Sequence, residues 1–546
     1  MRKILAVLLV SLVALPPAVL GQPVVATKVN STIYVVPSSG TDLGAQINAA
    51  AANCATGSQC QIVVPPGTQT QFATGIIFLP NETITCPSVN IIDNTTNSDS
   101  AAKLSYIGSG VAVTMSASAG RFIGCDLLLG TTTSTATGGV FVSGYSNQVI
   151  DVGIRGGAST TTLIHVGSAS NPTEDSHIET VRLSDWVGPA ISIDHANDTF
   201  ITNTTSYGKV GNTTGVGMLV DANASGIIIS DYVCGNCGLH GLWERYTLTG
   251  NYPSFIFATD FECDNAQSDC FLFDSTLASA NVDATFIDSW AAGAVGVGVH
   301  ISGGSGITFN SCRVRVNSLD GFLIDVTGGR AEYATIINGC LIQGNNQSNA
   351  ANLSGIRMTG HPGPVIVTSN QITNFPEVGG NQKYALDAQS DVEGLTFSNN
   401  VCSRNVTGCL NVGAVTASKL TYSGNVDTTT GPPASFFPGT LTVIGQITEN
   451  SGLNVTQTVG SGTVMTAGTA IAAGTSQGQT GITITGATTS DVAHCSLNAA
   501  PVSSWQTGIQ LLPPVVTANT VTVWLSNPTA RSITPAATII RCTVTR

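Results

Sequence analysis

Ile228-Ile229-Ser230-Asp231-Tyr232-Val233 is answered 29 residues on by Phe257-Ala258-Thr259-Asp260-Phe261-Glu262. The same kind of segment returns as Ile336-Ile337-Asn338-Gly339-Cys340-Leu341 and as Leu395-Thr396-Phe397-Ser398-Asn399-Asn400. Each leads towards an asparagine. Asn236 and Asn265 are 29 apart, and Asn317, Asn345, Asn374 and Asn405 follow one another at 28, 29 and 31. A period of this length marks stacked units, each too thin to bury its own apolar face. Short apolar runs broken by Gly and Asn, without helix-length patterns between them, make each unit a coil of β-strand. The register is tightest from about Arg182 to Asn411 and looser over residues 76–180.

Composition agrees with stacking. Equivalent residues of successive coils sit about 4.8 Å apart, where a file of like charges is destabilising and files of Asn, Ser, Thr or aliphatic residues are not. Only 9% of residues are charged, while glycine fills 60 positions. Asparagine suits a recurrent corner because it tolerates left-handed backbone angles, so the Asn file is expected to be structural. With a net charge of −13 and 19 Lys and Arg, no basic patch is available to neutralise phosphates, which argues against nucleic acid as partner.

Residues 1–21 carry Arg2 and Lys3, an apolar run from Ile4 to Leu20, and Gly21. They read as a secretory signal peptide. No second apolar run of that length follows, so the expectation is a secreted or cell-surface chain without a membrane span. Fourteen cysteines fit disulfides in an exported protein. Spacing against the coil period suggests Cys54–Cys60, Cys86–Cys125, Cys234–Cys237, Cys263–Cys270, Cys312–Cys340, Cys402–Cys409 and Cys495–Cys542, with Cys234–Cys263 between neighbouring coils as an alternative. A zinc site at Cys234 and Cys237 lacks a second cysteine pair, and no metal or other cofactor is expected.

Asp42 is placed to N-cap a helix over about 42–54, with Leu43, Ile47, Ala50, Ala51 and Cys54 on one face. Such a helix would cover the apolar end of the first coil. Asp42-Leu43-Gly44-Ala45-Gln46-Ile47-Asn48-Ala49-Ala50, followed by Ile62-Val63-Val64-Pro65-Pro66-Gly67-Thr68, resembles the opening of the pectate-lyase superfamily. That resemblance implies a right-handed parallel β-helix over about residues 22–427. It also implies a role with polysaccharides, as lyase, glycoside hydrolase, phage tailspike or binding protein. The Asn-Thr-Asp, Asp-Asp, Gly-His-Gly and Arg-Ile-Lys set of polygalacturonases is absent here, as is the arginine-containing lyase motif. Residues 428–480 read as a Gly- and Thr-rich linker or stalk, and 481–546 as a small antiparallel β-sandwich.

Three files of residues are candidates for chemistry. Asp231 and Asp260 would stack about 5 Å apart, a separation suited to retaining glycoside hydrolysis, beside aromatics able to stack on sugars (Trp186, Tyr232, Trp290). Against this stands a reading of the acids as corner residues and the aromatics as interior. A second cluster holds Trp243, Glu244, Arg245 and Tyr246, where Glu244 would act as acid or base and Arg245 would face a uronate or act as a lyase base. Its plainer alternative is a Glu244–Arg245 surface pair. The third file, Asp194, Asp221, Asp274, Asp325 and Asp387, ends successive apolar runs and reads as turn-forming, with calcium bridging Asp194 and Asp221 as the alternative. The leading expectation is a secreted carbohydrate-active β-helix that binds, and as hydrolase or lyase cleaves, a polysaccharide. The competing one is a non-enzymatic adhesive or tailspike-like fibre whose C-terminal domain attaches or trimerises it.

Overall fold

The computed structural model describes residues 31–35, 42–54, 59–65, 69–86, 102–129, 136–157, 162–221, 223–246, 254–275, 282–304, 306–326, 333–416, 419–428, 458–466, 470–478, 481–497, 508–535 and 538–545. Residues 1–21, expected to form a signal peptide, lie outside them. Two compact units divide the chain, 1–445 and 446–546.

The first unit is a parallel β-solenoid. Thirteen strands, one per coil from Ile76–Ile77 to Gly408–Asn411, form the front sheet. The other 27 strands hydrogen-bond into one sheet that bends into two flanks. The bend recurs at left-handed residues, among them Asn203, Asp231, Asp260, Asp288, Ser311 and Asn399. Asn and Asp adopt this conformation at less cost than other non-glycine residues, which explains their recurrence. In one coil the chain runs through Phe271–Ser275 (front), Val282–Ile287 (first flank) and Trp290–Ala292 (second flank), then returns to the front at Val299–Ile301. Register is maintained from coil to coil: Tyr232 lies over Phe261, and Gln343 over Thr373.

Inward positions fill a continuous apolar column. Tyr232 and Phe261 pack with ring centroids 4.8 Å apart, and Phe286 stacks on Phe309 at 4.9 Å. The asparagine file divides in two. Asn236 and Asn265 are exposed left-handed corners. Asn317, Asn345 and Asn405 point inward and are buried. There Asn317 Nδ2 donates to Asn345 Oδ1 at 2.9 Å, Asn345 Nδ2 to Gln382 Oε1 at 3.5 Å, and Gln382 Nε2 to Asn405 Oδ1 at 2.6 Å. Gln382 thus occupies the rung expected of Asn374, whose Oδ1 instead accepts the backbone N–H groups of Phe375 and Gln382. A parallel ladder joins Asn370, Asn400 and Asn425. Each amide donates to one neighbour and accepts from the next, so burial leaves few polar groups unsatisfied.

The helix Leu43–Ala52 buries Leu43, Ile47, Ala50 and Ala51. Asp42 caps it through the N–H of Ala45, and the same carboxylate accepts from Ala73 N at 2.5 Å and Thr74 N at 3.1 Å. Disulfides join Cys54 to Cys60, Cys86 to Cys125, Cys234 to Cys237, Cys263 to Cys270, Cys312 to Cys340, Cys402 to Cys409 and Cys495 to Cys542. Among the described residues, no helix is long and apolar enough to cross a membrane.

The second unit is antiparallel, with Thr458–Thr466 pairing Thr538–Thr545 and Thr475–Gly478 pairing Thr520–Asn527. This corrects the expectation of a stalk reaching residue 480. The Thr- and Val-bearing run from 458 is strand-forming once a partner strand satisfies its backbone.

Candidate functional site

On the front sheet, alternation along each strand sends two files of side chains outward. Strand pairing places Ser192, Leu219, Trp243, Leu272, His300 and Leu323 in one file. Two residues further along each strand, Arg245 lies beside Asp274, and Asp221 directly follows the paired Val220–Glu244. The file therefore reads Asp194, Asp221, Arg245, Asp274, and continues to Asp325. Four of the five acids expected as turn-formers share this outward file. Asp387 belongs to the neighbouring one, opposite Arg357.

Arg245 is what keeps Asp221 and Asp274 apart. Its guanidinium donates to Asp221 Oδ2 and lies 5.1 Å from the centre of the Trp243 ring. Such a cation–aromatic contact fixes the ring while leaving part of both groups accessible. Two coils on, His300 Nδ1 donates to Asp269 Oδ2 at 3.0 Å, and its Nε2 lies 3.2 Å from Asp325 Oδ1, out of line for a hydrogen bond. Burial acts to lower the His300 pKa, but the two carboxylates outweigh it and push it up to about 9. Asp269 is anchored in turn by Val297 N–H at 2.7 Å. At the other end, His195 Nδ1 lies 2.5 Å from Asp194 Oδ1, and Asn223 reaches its Nε2 at 3.1 Å. In so sparsely charged a chain, this succession of ion pairs among the described residues concentrates polar chemistry on one face.

The structure rearranges the expected sites. Glu244 alternates inward, stacked between Val220 and Phe273, and is 1% exposed. It is neither a surface partner of Arg245 nor within reach of a bound glycan. Burial first, then the nearby charges of Asp274 and Asp221, push its pKa up to about 8. Trp243 is half-buried and outward, as required of a sugar-stacking residue. Tyr246 ends the same strand, and its side chain lies outside the described residues.

Asp231 and Asp260 do lie in adjacent coils, and both are exposed. Both have left-handed backbones, φ 59° and 52°, in the corner file that also holds Ser311 and Asn399. The position they occupy is one the fold needs whatever the side chain does. Their aromatic companions do not face solvent. Tyr232 is fully buried, with its hydroxyl bonded to Gly217 O at 2.9 Å, and Trp186 is also fully buried. Both assignments to sugar binding are corrected, because the residue after a left-handed corner points into the solenoid. Trp290 differs. It pairs with Glu262 rather than Phe261, so it faces outward on the second flank, with Arg313 and Arg315 at 5.8 and 5.6 Å from its ring centre.

For metal binding, Asp194 and Asp221 occupy neighbouring coils, but each carboxylate contacts a different side chain, His195 and Arg245. Among the described residues, no group of three or more His, Cys, Asp or Glu is arranged to hold an ion.

No protein-family model matches this chain, and no curated protein matches it in sequence. Solved structures do resemble it. The tailspike of E. coli bacteriophage HK620, solved in complex with a pentasaccharide, aligns with TM-score 0.51 at 7% identity, covering 94% of this chain and 91% of that one. The A-module of a mannuronan C-5 epimerase from Azotobacter vinelandii aligns with TM-score 0.44 at 13% identity, covering 72% and 96%. At such identities the tailspike likeness establishes the architecture, a parallel β-helix, and nothing about residues.

Proposed function

We propose that this chain is an exported β-helix that binds an extracellular polysaccharide across the outward face of its front sheet. The observation that carries the reading is the adjacency of Trp243 to the file Asp221–Arg245–Asp274. A partly exposed indole offers a flat apolar surface for a sugar ring, and charged groups beside it exchange hydrogen bonds with hydroxyls or a uronate. The fold supports the reading, since a tailspike of this architecture has been solved with a pentasaccharide. Export is supported by the apolar leader and by seven disulfides, which persist in oxidising compartments.

The finer reading is hydrolysis on the same face. Asp221 and Asp274 flank Arg245 and are two strand spacings apart, about 10 Å, close to the upper end of the separation used by inverting glycosidases. Asp221 is bonded to the Arg245 guanidinium, which fixes its orientation, and Asp274 lies beside Arg245 in register without an ion pair among the described residues; the reading assigns Asp221 as base and Asp274 as acid.

Affinity and turnover are to be measured together on a panel of pectins, alginates and bacterial glycans. Binding would be read by affinity electrophoresis, and cleavage by new reducing ends and by absorbance near 235 nm. Trp243→Ala is expected to weaken binding about tenfold or more. Asp274→Asn is expected to abolish new reducing ends while keeping the glycan bound. Unaltered affinity in Trp243→Ala would remove the binding face. Full turnover in Asp274→Asn and Asp221→Asn would remove the hydrolytic pair, and a signal at 235 nm would replace hydrolysis by elimination.

A further inference from the structure

The first flank holds a second feature, in the N-terminal coils and on a different sheet from the face just described. Successive strands are entered there through left-handed residues, Asn81 (φ 61°), Ala119 (58°) and Ser146 (53°). Repeated coil after coil, this bend folds the surface into a crease running along the solenoid axis. One wall is an outward file set by strand pairing: Thr32 beside Gln61, Gln61 beside Thr83, Thr83 beside Arg121, and Arg121 beside Gln148. The opposite wall includes Gln59, Asn81 and Ser146. The crease encloses about 550 Å³, inside the roughly 300–1,000 Å³ range of small-molecule sites. From Thr32 to Gln148 it spans four strand spacings, about 19 Å.

Apart from Cys60 and Ala119, the lining side chains are amides, hydroxyls and one arginine. The amides and hydroxyls of Thr32, Gln59, Gln61, Asn81, Thr83 and Gln148 can each donate and accept hydrogen bonds, as a chain of sugar hydroxyls requires, while the Ser146 hydroxyl donates to Asp175 Oδ2. Arg121 supplies the one charge among the lining residues. Elsewhere in the fold Arg155, Arg245, Arg357 and Arg404 each hold a carboxylate, Arg313 and Arg315 lie over the Trp290 ring, and Arg531 and Arg541, like those two, make no ion pair among the described residues. Arg121 makes no ion pair among the described residues, although acids outnumber bases 32 to 19 in the chain. A guanidinium fork matches a planar carboxylate with two parallel hydrogen bonds. A long, polar crease with a single cation suits a flexible, hydroxyl-rich anion better than a lipid or a compact apolar ligand.

We infer that this crease is a binding site for a short acidic oligosaccharide, with Arg121 clasping a uronate carboxylate and Gln61, Thr83 and Gln148 bonding the sugar hydroxyls on either side. It stands independently of the front-sheet reading, because the two sites share no residue.

The test uses the full chain carrying Trp243→Ala and Arg245→Gln, which takes the front face out of the measurement. Calorimetric titration with hexameric galacturonate, mannuronate and guluronate is expected to show saturable binding to at least one of them. Adding Arg121→Gln should weaken that binding about tenfold or more, as expected for loss of a charge-assisted pair. Gln148→Ala should weaken it less, and the methyl-esterified hexamer should bind the parent and the Arg121→Gln chain alike. Inorganic sulfate should compete only weakly, since it meets Arg121 and none of the hydroxyl-binding side chains. The inference is overturned if none of the three hexamers binds, if Arg121→Gln leaves affinity unchanged, or if sulfate displaces the hexamer as effectively as the hexamer displaces itself. Arg121 is exposed, so the variant should fold, and an unchanged melting temperature confirms it. If the front-face substitutions abolish all hexamer binding, the acidic glycan belongs to the front sheet alone and the crease reading fails without harming the other.

Discussion

Replacing Glu244 by glutamine should stabilise the protein, and increasingly so as the pH rises. The carboxyl sits in the apolar column with 1% exposure, and its Oε2 has no hydrogen-bond partner. Burial holds its pKa up at about 8 in the fold, against 4.5 for an ordinary glutamate side chain. Between those values the unfolded chain has released the proton and the native chain still holds it, so the unfolded state binds fewer protons and stability falls as pH rises. Each pH unit across the window costs about 1.4 kcal/mol, or of order 5 kcal/mol once the pH passes 8, and under 1 kcal/mol at pH 5. Glutamine has the same shape and no proton to lose. The assay is a pair of calorimetric melts, wild type and Glu244→Gln, at pH 5 and pH 8. Their melting temperatures should nearly coincide at pH 5 and diverge by several degrees at pH 8. An equal gap at both values would refute the buried, protonated carboxyl and return Glu244 to solvent.

His300 runs with the same sign for a different reason. Its raised pKa, about 9, means that the contribution of its carboxylate contacts is fully present below about pH 6.5 and is lost as pH rises through 9. His300→Gln should therefore cost roughly 3 kcal/mol at pH 6 and much less above pH 9, read from melts across that range. Asn345→Leu breaks the interior ladder and strands the amides of Asn317 and Gln382, so denaturant titration should show a loss of about 2–5 kcal/mol. Cys312→Ser with Cys340→Ser removes a link closing a 28-residue loop and should lower stability by about 3–4 kcal/mol. A melting temperature unchanged by the double substitution would mean that the bond is not formed in the folded protein.

The coil period, the capping helix and the column nature of the fold were legible because stacking forces like residues into file. What the letters could not show is parity. A left-handed corner changes which face the next residue takes, so Tyr232 and Trp186 read as candidates for solvent but lie inside, while Trp290 lies outside one register step away. Parity also hid Glu244, inward between two outward residues, and made Arg245 the partner of Asp221 rather than of its sequence neighbour. The alternation of Asp194, Asp221, Asp274 and Asp325 was visible, but that Arg245 occupies the gap between Asp221 and Asp274 was not. The crease around Arg121 left no trace in the sequence. Its walls come from coils of unequal length, so Gln61, Thr83, Arg121 and Gln148 share no spacing that would have grouped them.

The Asp42 carboxylate, which grips both the first turn of the helix and the backbone at Ala73 and Thr74, has a bearing on how molecules meet. An uncovered solenoid mouth is a greasy disc matched in shape to the mouth of any identical molecule, and two such discs would join end to end. With Leu43 and Ile47 seated in it, the disc is covered by one face of a helix whose outward residues are the small Ala45, Ala49 and Ala52 together with Asn53, so little apolar area is left to drive head-on fusion. The Asp42 latch is thus a guard against filament growth at this end.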